Sequence, residues 1–326
     1  MTLKERLEQK FVFVEDVARV LELGHMTGKN VFMYGKGGHA KSEIIKEFLN
    51  YIDPHQSSSF IQACGEGLTE EKLFGGIDVA KFHKTGEIEY LVNNSFMNYE
   101  YVVFEELLDS RMNVLLSLKD ILTSGYFRQG SQLFKIKTKM VICLTNRTKQ
   151  EVSEDDSIKA LLERFPLEVK VEWNSYAESD YSLMFRKVLN DDVTKVAKIC
   201  SLINENGDFI SPRTAVHMAQ IYLKTSNISD LKYFGMSNDI VKKMEKEERI
   251  VLLTSRIEDI SKRSVHIYED ENMSNKDKYH RLNGLLSELN VPSYPDELVT
   301  SYRSTKENIS SYINTIKDKI LNESLS

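Results

Sequence analysis

The sequence predicts an α/β fold, in which a parallel sheet flanked by helices is followed by an all-helical part. Short apolar runs alternate with helical patterns over the first half of the chain, as in parallel βα units. A glycine-rich turn follows the first of these runs, Val31–Tyr34, and leads into a helical pattern. Strand patterns then end, and only helical patterns remain. We therefore expect a sheet domain over 1–174, a helical subdomain over 175–224 and a further helical region over 225–326.

The composition indicates an ordinary globular protein of the cytoplasm. The chain has 326 residues, of which 41% are hydrophobic, and a formal net charge of -6, so no basic domain points to nucleic acid. Cys64, Cys143 and Cys200 lack metal-ligand spacing and are expected to be thiols in a reducing compartment. No apolar run approaches the ~20 residues of a membrane span, and the N-terminus lacks the apolar core of a signal peptide.

The segment before the glycine-rich turn is predicted to be helical. Residues 3–24 carry apolar side chains at helical spacing, so we expect helical structure there. Phe11, Val12 and Val14 are candidates for a base-binding pocket. The alternative is that these three side chains pack in the hydrophobic core without contacting a ligand. An apolar run such as this one favours that alternative.

The stretch Gly35–Ser42 has the pattern of a phosphate-binding loop. Between a strand and a helix, bare amide N–H groups wrap an anion, and the helix N-terminus adds positive potential. Lys41 is expected on the outer phosphates and the Ser42 hydroxyl on Mg²⁺. Ala40 replaces a motif glycine, which is tolerable if its φ is negative, and the His39 side chain is expected to face solvent. The alternative is a glycine-rich turn that binds nothing. The predicted phosphate-binding residues are Gly35, Gly37, Gly38, His39, Ala40, Lys41 and Ser42.

A second pattern predicts the acids of the same site. The run Tyr99–Glu106 is an apolar strand that ends in two carboxylates. Beside a phosphate loop, Glu105 would hold Mg²⁺ through water and Glu106 would polarise the attacking water. The usual pair is Asp-Glu, so the acid on the metal side is one methylene longer here. The alternative is that the two acids only end a strand at the surface.

The elements after these acids lead to a third candidate. Residues 77–98 are ambiguous between a strand and an inserted hairpin on a helix, and 107–122 is predicted as one helix. A β-hairpin turning at Gly130 follows, and then a buried strand that ends at Asn146. Ligands bind at the carboxyl ends of such strands, so Asn146 is a candidate to contact phosphate or water. A plain turn residue is the alternative.

The rest of the sheet domain and the helical parts follow from periodicity. Leu167–Trp173 alternates as the last strand, and Ser211-Pro212-Arg213 has the cap and proline of a helix start. A polar break over 270–278 divides the C-terminal region. The remaining helical patterns cover 157–165, 177–224 (three helices), 240–260 and 298–321.

Taken together, these elements resemble AAA+ ATPases with a P-loop NTPase core, and more narrowly the MoxR family, including RavA-type proteins. The likeness covers about residues 3–224. MoxR-type loops commonly have alanine before the lysine, as Ala40 is here. The other matching stretches are Leu73-Phe74-Gly75, Glu105-Glu106, Leu115–Gly130, Thr145-Asn146, Glu163-Arg164-Phe165 and Ser211-Pro212-Arg213.

The resemblance implies an enzyme that binds and hydrolyses ATP with Mg²⁺ between the subunits of a ring, usually a hexamer. Glu106 would activate water and Asn146 would position it. Arg164 would act as an arginine finger in the neighbouring site, and Arg213 on the helical lid would sense the γ-phosphate. Arg128 and Arg147 also lie near the expected face and compete for the finger role.

The resemblance also implies a partner. Lid motion would remodel or activate a protein in a chaperone-like way, often with a von Willebrand A (vWA) domain protein, through the hairpin and the inserted segment 77–98. One alternative is a nucleotide-gated assembly scaffold with weak or no hydrolysis, because Glu105 replaces an aspartate. Another is a nucleic-acid-associated AAA+ motor or restriction-type NTPase, which the acidic charge balance disfavours. The sequence does not indicate the role of 225–326.

Overall fold

A computed structural model of the chain describes residues 1–147, 151, 156–173, 177–205, 209–235 and 238–325. The chain divides into two compact units, Met1–Ser226 and Asn227–Ser326. The boundary expected between 1–174 and 175–224 falls at residues 174–176, which lie outside the described residues.

The first unit is built on a five-stranded parallel sheet. The strands are β1 Val31–Tyr34, β2 Ser59–Ala63, β3 Gly76–Ile77, β4 Tyr90–Leu91, β5 Tyr101–Glu105, β6 Tyr126–Gln129, β7 Gln132–Lys135, β8 Met140–Thr145 and β9 Leu167–Lys170. The sheet order is β2-β5-β8-β1-β9, with every neighbouring pair parallel. In the central register, Val31 lies opposite Ile142 on one side and Leu167 on the other. The predicted parallel sheet is confirmed.

Helices cover both faces of this sheet. They are α1 Leu3–Lys10, α2 Glu15–Thr27, α3 Lys41–Ile52, α4 Glu70–Phe74, α5 Val79–Thr85, α6 Met112–Ser124, α7 Asp156–Leu162, α8 Glu178–Leu189, α9 Thr194–Glu205 and α10 Pro212–Thr225. In β5, Val102 and Phe104 pack into one apolar cluster and Val103 into the other. Strands buried on both faces are apolar throughout, which is why they could be recognised as continuous runs.

Two stretches that were predicted to be helical are interrupted. The stretch 3–24 contains two helices, because the chain between α1 and α2 turns through Phe13 at φ 55. The helix expected over 107–122 is a short 3-10 turn at Leu107–Asp109, followed by α6. Apolar spacing continues across both breaks, so periodicity alone did not reveal them.

The structure shows which elements form in the segment 77–98 and at the hairpin near Gly130. Residues 77–98 contain α5 between β3 and β4, which pair antiparallel. The hairpin of β6 and β7 turns at Gly130, whose φ of 58 suits glycine. The predicted hairpin is confirmed, and α6 ends at Gly125, which has φ 75.

The second unit is helical. It contains 3-10 turns at Ile228–Phe234 and Asp296–Leu298 and the helices α11 Asn238–Glu269, α12 Asn275–Leu289 and α13 Val299–Leu325. The three helices share an apolar core that includes Ile257, Leu285 and Ile313. The polar break expected over 270–278 is shorter, because Ser274 caps α12 through the backbone N–H of Asp277. Among the described helices, none is both long and apolar enough to cross a membrane.

Candidate functional site

The candidate site is a polar cavity of about 150 Å³ at the carboxyl ends of β1, β5 and β8. It brings together the predicted loop, acids, asparagine and lid arginine, which are far apart in sequence. Of the predicted site residues, Gly35 and Arg164 are not among those that line it. Its lining is Gly37, Gly38, His39, Ala40, Lys41, Ser42, Glu105, Glu106, Leu144, Asn146 and Arg213.

The loop backbone forms a cradle that side chains would fill. At Gly35, with φ 146, a Cβ would lie 2.2 Å from the carbonyl oxygen of Val171. At Gly38, with φ 79, it would lie 2.6 Å from Ser211 Oγ. Ala40 has φ 61, so the condition of a negative φ at this position is not met. The methyl group of Ala40 is held in the left-handed region, which costs about 1–2 kcal/mol.

Lys41 begins α3 and is buried beneath the loop. Its Nζ donates hydrogen bonds to the carbonyl oxygens of Gly35 at 2.6 Å and Lys36 at 3.0 Å, and to Asn146 Oδ1 at 2.7 Å. Burial lowers the pKa of Lys41, Glu106 opposes this by charge, and Arg213 adds to the lowering. The ammonium group is therefore positioned inside the cavity by neutral acceptors and by one carboxylate.

Glu106 and Asn146 are locked together across β5 and β8. The Asn146 side-chain amide donates to Glu106 Oε1 at 2.5 Å, and the Asn146 backbone N–H donates to Oε2 at 3.1 Å. Glu106 itself has φ 53, an uncommon value for a non-glycine residue. Asn146 thus links the lysine to the glutamate, because its amide oxygen accepts from Lys41 while its amide nitrogen donates to Glu106.

The cavity also carries oxygen donors that suit Mg²⁺. The Ser42 hydroxyl follows Lys41 at the start of α3, and Glu105 is the last residue of β5. Mg²⁺ prefers one or two oxygen side chains together with phosphate and water oxygens, so this pair fits a metal that is shared with a nucleotide. Within the described residues, no three His, Cys, Asp or Glu side chains form a separate metal cluster.

The start of α10 closes over the loop. Ser211 caps this helix by accepting from the backbone N–H of Thr214, and Pro212 occupies its first turn. The backbone N–H of Arg213 donates to the carbonyl oxygen of Gly38 at 3.1 Å. The predicted lid arginine therefore lies at the cavity edge, and its helix is hydrogen-bonded to the phosphate loop.

A mostly apolar cavity of about 170 Å³ adjoins the polar one. Phe11 and Val12 line it, as the pocket interpretation expected, whereas Val14 belongs to the core of the sheet domain. The break between α1 and α2 turns these side chains toward the loop. The other lining residues are Lys10, Gly38, Ala40, Glu43, Trp173, Met184, Val188, Pro212, Arg213, Val216 and His217.

Comparison with known families decides the identity of this arrangement. A family model described as "MoxR domain in the MoxR-vWA-beta-propeller ternary systems" matches residues 1–199. The chain belongs to the MoxR family of AAA+ ATPases.

The solved structures that resemble this MoxR chain do so at low sequence identity. A candidate ATPase from Cytophaga hutchinsonii is 13% identical, with a TM-score of 0.44, and the match covers 95% of this chain and 83% of that one. NtrX from Brucella abortus is 10% identical, with a TM-score of 0.45 and coverage of 86% and 70%. NtrX in complex with ATP is 11% identical, with a TM-score of 0.48 and coverage of 84% and 68%.

The finger candidates of this MoxR chain lie away from its own cavity. Arg164 follows α7, and its Nε donates to Thr123 Oγ1 at 2.7 Å while its guanidinium lies 3.6 Å from Glu163. Arg147 is paired with Asp109 at 2.6 Å. Arg128 is exposed on β6.

His39 is the residue that sequence reasoning placed wrongly. It was expected to face solvent, but only 1% of it is exposed. Its Nδ1 lies 3.1 Å from the Lys36 carbonyl oxygen and 3.2 Å from that of Gly37, and its ring stacks on Phe209 at 5.6 Å. Trp173 lies edge-on to the same ring at 6.3 Å. Neither aromatic partner was a sequence candidate, since both come from distant segments that only the fold brings to the loop.

Proposed function

We propose that this MoxR-family protein binds ATP with Mg²⁺ in the polar cavity and hydrolyses it, and that it uses lid motion to remodel or activate a partner protein. The observation that carries the proposal is the connected set of Lys41, Asn146 and Glu106 inside a glycine cradle. A structural loop needs neither a buried lysine aimed at the cavity nor a glutamate oriented by an asparagine.

Phosphate binding follows from the charges around the cradle. Lys41 donates to three oxygen atoms of neutral groups, and phosphate oxygens are stronger acceptors than these. The N-terminus of α3 and the loop amides add positive potential. We therefore expect Lys41 to turn from Asn146 to the outer phosphates when ATP binds. The Ser42 hydroxyl and the Glu105 carboxylate are the side chains that would hold Mg²⁺, whose charge neutralises the phosphates when it is bound.

Glu106 is the proposed base. A carboxylate within hydrogen-bond reach of water can polarise it for attack on the γ-phosphate. Both carboxylate oxygens accept hydrogen bonds from Asn146, which fixes the orientation of the carboxylate. When Lys41 leaves Asn146 Oδ1, the asparagine amide gains freedom to turn toward water. Asn146 would then position that water for Glu106.

Arg164 is the proposed finger of the neighbouring site. It lies outside its own cavity, in the turn before the edge strand β9. A finger that completes a neighbour's site requires a head-to-tail interface, and such interfaces close into rings, for which we propose a hexamer. Arg213, at the edge of its own cavity, is the proposed γ-phosphate sensor of the lid. Arg147 is the weaker finger candidate, since Asp109 already pairs with it.

The apolar cavity beside the loop is the proposed base pocket. Phe11 and Trp173 provide aromatic surface there, and Pro212 links the pocket to the lid helix. A purine ring buried between such groups would couple nucleotide binding to the position of α10. The proposed setting is the cytoplasm, where ATP is abundant and where Cys64, Cys143 and Cys200 would remain the free thiols that they are here.

The proposed partner is a vWA-domain protein, in keeping with the family description, which names MoxR-vWA-beta-propeller systems. The inserted segment exposes Val79, Phe82 and Ile88, which is unusual for a surface without a partner. It is tied to the hairpin, because the Tyr90 backbone N–H donates to Gln132 Oε1 at 3.1 Å. Both predicted effector segments therefore form one connected surface.

Phosphate release tests the proposal. We expect Mg²⁺-dependent ATP turnover that disappears in Glu106→Gln, while ATP still binds. Binding without turnover in the wild type would favour the nucleotide-gated scaffold, an alternative that rests on Glu105 in place of aspartate. Turnover that duplex or single-stranded DNA stimulates would favour the nucleic-acid motor instead. Affinity capture with Glu106→Gln in ATP, followed by a binding assay with the recovered vWA protein, tests the partner.

A further inference from the structure

His39 sits where two moving parts of the proposed cycle meet. Its ring is parallel to that of Phe209, with an interplanar angle of 9° and centroids 5.6 Å apart. Its other neighbour, Trp173, contacts it edge-on at 86°. Lys36 of the loop also lies over the Phe209 ring, 4.9 Å from its centroid. Phe209 is thus held against the phosphate loop from both His39 and Lys36.

Phe209 belongs to the lid side of this contact. The next residue, Ile210, donates its N–H to Asn204 Oδ1 at 3.0 Å and accepts from the Tyr181 hydroxyl at 3.2 Å. Asn204 in turn donates to that hydroxyl at 2.6 Å, and Tyr181 is fully buried in the lid. These hydrogen bonds attach the segment that carries Phe209 to helices α8 and α9 of the lid.

A second contact joins the same two parts only one residue away. Gly38 accepts from the backbone N–H of Arg213 at 3.1 Å, and its α-carbon leaves no room for a Cβ beside Ser211. Together with the His39–Phe209 stack, this fixes the loop to the lid at two points. Two separate contacts restrict rotation of the lid against the loop more than a single hydrogen bond would.

We infer that His39 is a positioning residue, which couples the phosphate loop to the lid and so sets the approach of Arg213 to the γ-phosphate. The inference rests on the proposed function. An imidazole ring suits this position because its edge can donate a hydrogen bond while its face packs on another ring. Both partners of Nδ1 are carbonyl oxygens, so Nδ1 carries the hydrogen and donates to the loop, while the ring face packs on Phe209. A phenylalanine at this position would keep the ring packing but not the hydrogen bond, and an alanine would keep neither.

The test compares His39→Ala, His39→Phe, Phe209→Leu and the His39→Ala/Phe209→Leu double variant. Phe13→Leu is the matched control, because Phe13 packs edge-on against Trp173 at 5.6 Å and is not among the residues that line the polar cavity. Each variant is made twice. Calorimetry on the proteins that also carry Glu106→Gln gives the ratio of ATP affinity to ADP affinity. Phosphate release by the proteins that keep the wild-type Glu106 gives kcat and KM.

We expect His39→Ala and Phe209→Leu to lower kcat by about 10- to 100-fold, since a misplacement of about 1 Å can lower a rate by ~10²-fold. Both should reduce the preference for ATP over ADP. The double variant should be no worse than the poorer single one, His39→Phe should recover most of the loss, and Phe13→Leu should behave as wild type. Phe209 is 44% exposed, so its truncation reports on the contact even where His39→Ala fails to fold.

The outcomes separate the two claims. Wild-type kcat and wild-type nucleotide preference in Phe209→Leu would overturn the role of His39 and leave hydrolysis standing. So would a loss in the double variant equal to the product of the losses in His39→Ala and Phe209→Leu. A wild-type protein that binds ATP without turnover would overturn hydrolysis. In that case the ratio of ATP affinity to ADP affinity in the variants would decide whether His39 couples the loop to the lid. A wild type that binds neither nucleotide overturns both.

Discussion

Asn146 occupies both carboxylate oxygens of Glu106, through its side-chain amide at 2.5 Å and its backbone N–H at 3.1 Å. The two residues directly follow neighbouring parallel strands, so the contact is set by the register of β5 and β8. It makes the proposed base and the proposed water-positioning residue one unit.

Glu106→Gln should abolish turnover and preserve ATP binding. Glutamine keeps the shape of the side chain but cannot accept a proton from water, and general-base catalysis is typically worth about 10²–10⁴-fold. Single-turnover phosphate release measures the loss, and calorimetry measures the retained affinity. Glu258→Gln, an exposed substitution in the second unit, is the control and should match wild type. Turnover in Glu106→Gln above a tenth of the wild-type rate would contradict the role of this residue.

Asn146→Asp should shift the pH dependence of turnover toward alkaline pH. The new carboxylate would lie within hydrogen-bond distance of Glu106, and a like charge raises the pKa of its neighbour. A raised pKa leaves less of the base ionised at low pH, so the rate should fall more at pH 6 than at pH 8.5. The pH profile of kcat/KM measures this, with Asn146→Ala as the variant that removes the contact without adding charge. An unchanged acidic limb in Asn146→Asp would argue against Glu106 as the base.

Lys41→Ala should weaken ATP binding by at least ~10-fold, which corresponds to about 1.4 kcal/mol. The substitution removes the buried charge that the cavity presents to the phosphates, and calorimetry measures the loss of affinity. Lys46→Ala lies on the exposed side of the same helix and serves as the control. Equal affinities in Lys41→Ala and wild type would remove the basis of the whole site.

Arg164→Ala should retain ATP binding and lose turnover by ~10³-fold or more, the range of arginine fingers. Its decisive test is a mixture with Glu106→Gln. Each variant alone should be inactive, but in mixed rings a site with an intact Glu106 meets the intact Arg164 of a neighbouring Glu106→Gln subunit. Partial recovery of phosphate release on mixing would support action between subunits. Recovery in a mixture with Arg147→Ala instead, with Arg164→Ala fully active, would reassign the finger.

Acidic pH should destabilise the first unit through His39. Burial lowers the pKa of His39, Lys41 adds to the lowering, and the two loop carbonyls and Glu172 oppose it. The unfolded chain therefore binds a proton more readily than the folded one, so this contribution to stability is complete above the usual pKa of about 6.5 and is lost as the pH falls below it. Denaturant unfolding from pH 8 to pH 5 measures the effect. His39→Phe, which has no proton to bind, should lose less stability over that range, and identical slopes would contradict the prediction.

Much of the fold was predictable because its patterns are local. Strands buried on both faces gave continuous apolar runs, and β1 and the β6–β7 hairpin begin and end close to where these patterns place them. The turn at Gly125 and the cap at Ser211 also depend on neighbours within one helical turn. The second helix of the C-terminal unit, α12, was missed because its cap lies inside a polar stretch that resembles a loop.

The candidate site was predictable only as a set of residue types. The loop glycines, Lys41, Ser42 and the two acids follow from a chemical requirement that can be read along the chain. Which atoms meet was decided by the sheet order and register, which place Asn146 against Glu106 and Lys41. The burial of His39 was decided in the same way, because the fold brings Phe209 and Trp173 from distant segments to the loop. The sequence by itself thus determined the elements and the chemistry that they can carry, and the tertiary structure decided the contacts, because hydrogen bonds and ring stacking depend on distances between segments that local propensity does not specify.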